Sequence, residues 1–114
     1  MAFACSGDEV ILALVSLVRA VDPRLLRQGP EGISVDLGPL ERKASLSADE
    51  RLLVMLQGVL DGAADARVYA LELGAAEAQR LAETLAALEK VQPWGADVME
   101  MSRGLRRRME EVGK

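Results

Sequence analysis

At 114 residues with 18 acids against 14 bases, the chain is one acidic domain, long enough to bury a core without disulfides or metal and charged the wrong way for general phosphate binding. It has no histidine and one cysteine, Cys5, which removes the usual general base, the commonest metal ligand, the Ser-His and Cys-His nucleophile pairs and any intrachain disulfide. Its aromatic residues are Phe3, Tyr69 and Trp94, so the core is built from Leu, Val, Ala and Met, as in helix packing rather than a β-sandwich.

The first predicted element is a helix opened by a capping box, Ser6-Gly7-Asp8-Glu9. From Val10 to Val21 apolar residues cover every face, and a helix apolar all round is a buried one. Its eight large side chains gain roughly 12–24 kcal/mol if fully buried. Ordering about a dozen residues costs roughly the same in backbone entropy. Half-burial is therefore insufficient, and the helix is expected to be central or to be completed by a second copy. Pro23 ends it or opens a short extra turn, Pro23 to Gln28.

Gly29-Pro30-Glu31-Gly32 is a turn signal. Ile33 to Leu37 alternates apolar and polar, the pattern of a half-buried strand. Gly38-Pro39 turns the chain, and Leu40 to Leu46 is the expected return strand, although Arg42 falls on its apolar face. Ser47-Ala48-Asp49-Glu50 is a second capping box. It opens a helix with Leu52, Leu53, Met55, Leu56, Val59 and Leu60 on one face, stopped at Asp61-Gly62. Arg67 to Leu73 reads as a strand apolar on both faces, hence a central one. A third helix spans Ala75 to Val91, Pro93-Trp94-Gly95 breaks it, and a fourth spans Ala96 to Val112. Residues 35–38 and 71–74 look alike; a diverged repeat is one reading, and a chance likeness among common residue types is the favoured one.

The expected fold is helix-rich α+β in a single domain, residues 1–114. It has four helices and a small antiparallel sheet of two to three strands, in the order α-(β-β)-α-β-α-α. An all-α bundle carrying a β-hairpin is the alternative.

Chemistry is sparse. Cys5 lies beside a helix N-terminus, where a dipole can lower a thiol pKa, but it has no neighbouring base, and the plainer reading is a small terminal side chain packed on the body. Asp36, Glu41, Asp49, Glu50 and Glu72 show no metal-site spacing and read as caps or solvated faces. No Gly-rich phosphate loop occurs. No catalytic residue, metal or cofactor is expected.

The sharpest charge feature is Arg103, Arg106, Arg107 and Arg108. Residues 101–114 hold five bases and two acids, net +3, while residues 61–100 hold eight acids and three bases, net −5. On a helix, Arg106 faces Glu110 and Arg107 faces Glu111 at i,i+4. The functional reading is a phosphate or acidic-partner contact, reinforced if Arg19, Arg24 and Arg27 lie nearby. Trp94 is either a plug between helices or a partner anchor. Gly58 and Gly104 lie inside predicted helices, where either could permit close helix approach.

These features predict a small protein-interaction or regulatory module that acts as a homo-oligomer or on a protein partner. A nucleic-acid-binding regulator using the arginine helix is the second reading. Asp8 and Glu9 interrupt the N-terminal apolar stretch, and Val10 to Val18 is too short to span a bilayer. With a lone thiol, the setting expected is cytoplasmic and away from membranes. Arg outnumbers Lys eleven to three and Asn is absent, a bias of GC-rich, bacterial coding.

Overall fold

The computed structural model describes residues 2–30, 32–62, 68–91 and 95–112. In chain order these form β1 (Ala2–Cys5), α1 (Gly7–Val21), a 3₁₀ turn (Pro23–Leu25), β2 (Leu26–Gly29), β3 (Gly32–Val35), the one-turn helix α2 (Gly38–Glu41), α3 (Ala48–Gly62), β4 (Tyr69–Glu72), α4 (Ala75–Val91) and α5 (Ala96–Val112). The fold is helix-rich α+β with small antiparallel sheets, and α4 and α5 occupy the expected ranges.

Three of the four long helices, α1, α3 and α4, begin in the same way. A glutamate three residues into the helix folds back onto the backbone N–H of the cap residue: Glu9 on Ser6 at 2.9 Å, Glu50 on Ser47 at 3.0 Å and Glu77 on Gly74 at 3.0 Å. In the first two, the serine hydroxyl in turn accepts from the glutamate N–H. Each reciprocal pair satisfies donors that the helix geometry leaves without partners.

The sheets depart from expectation. β1 precedes the first helix and pairs antiparallel with β4, with Phe3 opposite Leu71 and Cys5 opposite Tyr69. These four side chains form the buried face, while Ala4, Ala70 and Glu72 are exposed. β4 is therefore one-sided rather than central, and Val68 just before it is 66% exposed. Arg67, the expected first residue of this strand, lies outside the described residues.

β3 pairs with β2, which precedes it, in the register Leu26 to Val35 and Arg27 to Ser34. The expected extra turn to Gln28 is thus a 3₁₀ turn ending at Leu25, followed by a strand. The expected return strand Leu40–Leu46 does not form. Asp36 accepts the Gly38 N–H at 3.0 Å, and Pro39 sits in the first turn of α2, where its fixed φ suits a helix. Leu40 is then buried, while residues 42–45 are exposed. β3 and β4 lie in separate sheets, so the likeness between 35–38 and 71–74 marks no structural repeat. The βα units that correspond are β1–α1 and β4–α4, whose strands pair and whose helices pack on each other.

α1 lies between α3 and α4 and against the N-terminal sheet. Val10, Ala13, Leu14, Ser16, Leu17 and Val18 are buried, an arc of about 200° at 100° per residue. The expected near-complete cover is not reached. Leu12, Val15 and Val21 are half-buried, and Ile11 is 46% exposed. Ser16 and Thr84, each 2% exposed, meet where α1 packs on α4, with their hydroxyl oxygens 3.0 Å apart. Each hydroxyl also lies within 3.0 Å of a carbonyl in its own helix, Ala13 or Leu81. Two protons serve three short contacts, so one hydroxyl donates to the other and gives up its own carbonyl.

Gly58 and Gly104 meet nothing at the position a Cβ would occupy, and both are exposed. Neither serves close helix approach. Gly58→Ala and Gly104→Ala should each stabilise the fold by about 0.5–1 kcal/mol, additively, in urea unfolding. A loss of stability in either variant would show a packing role invisible in this structure.

Glu50 is held below its ordinary value of 4.5 chiefly by the Lys43 ammonium and then by the Ser47 N–H. A depressed carboxylate stabilises the fold above its unfolded pKa, and the contribution disappears as pH falls through the folded value. Glu50→Gln should therefore be less stable than wild type at neutral pH, and the gap should narrow as pH falls below the ordinary 4.5. A gap constant from pH 7 to 3 would assign the loss to shape rather than charge.

Candidate functional site

Three of the four arginines of α5 are occupied within the chain. Glu89 on α4, with its side chain 10% exposed, accepts from Arg106 Nε at 2.9 Å and from the Ser102 hydroxyl at 3.1 Å, and Arg103 approaches it to 3.9 Å. Arg106 also bonds Glu110 at 3.2 Å, the expected i,i+4 pair. Ser102 is buried, so this cluster fastens the polar edge of the α4–α5 hairpin. The Arg106 guanidinium is held more firmly protonated than usual, first by Glu89, with Glu110 adding to it.

Arg108, on a different face of α5, joins it to the start of the chain. It donates to Glu9 at 3.0 Å and to the Ala4 carbonyl, and its guanidinium lies 5.1 Å from the centroid of the Phe3 ring. Glu9 thus uses one oxygen for its helix cap and the other for Arg108. Arg108 also reaches the Cys5 sulfur at 3.9 Å. Cys5 is 2% exposed in β1. Burial pushes its thiol up, Glu9 adds to the shift, and Arg108 opposes it. The helix dipole does not make it a nucleophile.

Arg107 is exposed and makes no ion pair among the described residues. The expected pair with Glu111 is absent, since both side chains point into solvent. Arg19, Arg24 and Arg27 do not extend the basic group. Arg108 binds the first turn of α1, while Arg19 is ten residues further along, about 15 Å at 1.5 Å per residue. Arg24 is paired with Asp22 at 3.0 Å and Arg27 with Asp36 at 3.5 Å. Trp94 lies outside the described residues.

The carboxylates are likewise dispersed. Asp49 accepts from Arg80 at 3.1 Å, Glu50 serves Ser47 and Lys43, and Glu41 and Glu72 are exposed. Among the described residues no three acids or thiols gather as a metal site. No described buried side-chain nitrogen or oxygen lacks a hydrogen-bond partner. A cleft of about 120 Å³ lies between α1 and α4, lined by Ser16, Arg19, Ala20, Thr84 and Val91 among others. That is well under the roughly 300 Å³ of an ordinary ligand pocket.

A shallow hollow of about 440 Å³ along α4 is open to solvent and lined by Ala75, Ala76, Gln79, Arg80 and Glu83. The outer side of α1 is more apolar. Asp8, Ile11, Leu12, Val15 and Arg19 lie outside the buried arc of α1, the first two exposed and the others half-buried, with Leu12 packed on the edge of the core and Arg19 beside the α4 cleft. Sequence periodicity could not isolate this face, because apolar residues occur all round the helix. The signal present was its charged ends, Asp8 and Arg19, in an otherwise apolar span. No family model, curated protein or solved structure matches the chain.

Glu89→Ala should cost about 1.5–3 kcal/mol, because it strips the Ser102 hydroxyl and the Arg106 guanidinium of their shared acceptor. Glu89→Gln should cost less, since its amide oxygen still accepts. Equal losses in the two variants, read from thermal unfolding, would mean that the charge of Glu89 carries the whole effect.

Proposed function

We propose that this chain is a protein-interaction or regulatory module that works through the outward face of α1, with self-association as its simplest mode. The observation that carries this reading is Ile11, 46% exposed in the second turn of the most apolar helix. Leu12 and Val15, half-buried, flank it. Apolar side chains grouped on one exposed face favour association, because covering them removes them from water.

The arginine helix supports the second, nucleic-acid reading less well. Arg103, Arg106 and Arg108 already have acidic partners on the same chain. Neutralising phosphates would require breaking those pairs, and no described aromatic side chain lies exposed to stack on bases. A cytoplasmic setting suits a module with one buried free thiol. Among the described residues, no helix is long and apolar enough to cross a membrane.

Light scattering coupled to size exclusion tests the reading. The mass should rise from monomer towards dimer across the micromolar range, and Ile11→Asp should return it to monomer with unchanged helical content. Ile11 is exposed, so that substitution costs the fold little. Leu14→Asp, at a buried position, should instead unfold the chain. A wild type that stays monomeric throughout, and retains no protein partner in copurification, would defeat the proposal.

A further inference from the structure

The outward face of α1 has an internal symmetry. Asp8, Leu12, Val15 and Arg19 follow one another at intervals of four, three and four residues, the spacing that keeps side chains on one stripe of a helix. The stripe runs about 16 Å from Asp8 to Arg19. Reversing its direction exchanges Asp8 with Arg19 and Leu12 with Val15. An acid therefore meets a base, and an apolar side chain meets an apolar one. Neither Asp8 nor Arg19 makes an ion pair among the described residues.

From this we infer that the occupant of the α1 face is a second copy of the chain, packed antiparallel about a two-fold axis that passes between Leu12 and Val15. The inference rests on the self-association reading above and adds its partner and geometry. A two-fold contact requires a self-complementary patch, and this stripe is one. Parallel packing would set Asp8 against Asp8 and Arg19 against Arg19, and like charges placed together at an interface select against that arrangement. Ile11 borders the stripe and adds apolar area. Five side chains cover less than the roughly 800 Å² per partner of a standard interface, so the dimer forms in the micromolar rather than the nanomolar range.

Charge reversal tests it. Asp8→Lys and Arg19→Glu should each weaken dimerisation, measured by sedimentation across a concentration series, by at least about tenfold. The double variant, which restores opposite charges across the axis, should recover to within about threefold of wild type. Asp8→Lys also places a cation at a helix N-terminus. If its far-UV circular dichroism shows lost helix, Asp8→Asn and Arg19→Gln replace the pair, and each should weaken the dimer by a smaller factor. A wild-type dimer indifferent to every one of these changes, or a double variant no better than the singles, overturns the antiparallel stripe and leaves self-association standing. A wild type that is monomeric at every concentration overturns both.

Discussion

Everything in this molecule is arranged around the need to cover α1. A fifteen-residue helix with apolar side chains on all sides cannot be stable with one face buried, because ordering it costs about as much as full burial returns. The fold answers with α3 and α4 beside it and the N-terminal sheet against it. Four of its large side chains, Val10, Leu14, Leu17 and Val18, are 3% exposed or less. The described residues leave the remaining sector partly open. What is left is a stripe bounded by Asp8 and Arg19, and the surplus sits on the most central element rather than on a peripheral loop.

The charged residues have the opposite character. They are numerous, and those with partners are spent on structure. Glu9, Glu50 and Glu77 cap helices; Glu9 also receives Arg108, and Glu50 also receives Lys43. Glu89 gathers Ser102, Arg103 and Arg106. Glu9, Glu50 and Glu89 each have both carboxylate oxygens bonded and a cation beside them, so the fold fixes these side chains in place. The density of acids in the sequence therefore reflects how the helices are started and joined.

Local signals were legible and distant pairings were not. The capping boxes at Ser6 and Ser47 mark helix starts because both partners lie within four residues. The breaker Pro93-Trp94-Gly95 separates α4 from α5 at the observed bounds. β1 left almost no trace: four residues before a cap resemble a loose terminus, and their partner, β4, is almost seventy residues away. β3 was visible by its alternation, but alternation does not say which neighbour it pairs with. Gly38-Pro39 looked like a hairpin turn because both residues favour turns, whereas Pro in a first helical turn is equally at ease. The arginines of α5 showed their number in the sequence. Their neutralisation depended on Glu89 and Glu9, which come from other elements.

Two sets of residues read differently once the structure is in view. Arg103, Arg106 and Arg108 read either as charges on a helix face or as a partner contact, and each lies beside an acid of the same chain. Ile11, Leu12 and Val15 looked like core, but Ile11 is exposed, as are Val54, Val68 and Val91, while Leu12 and Val15 are half-buried. A satisfied charge gains little from a new partner, because an existing pair must break first. An exposed apolar side chain on a fixed helix loses no partner when covered, and its rotamers are already restricted by the helix, so association there carries a small entropic cost.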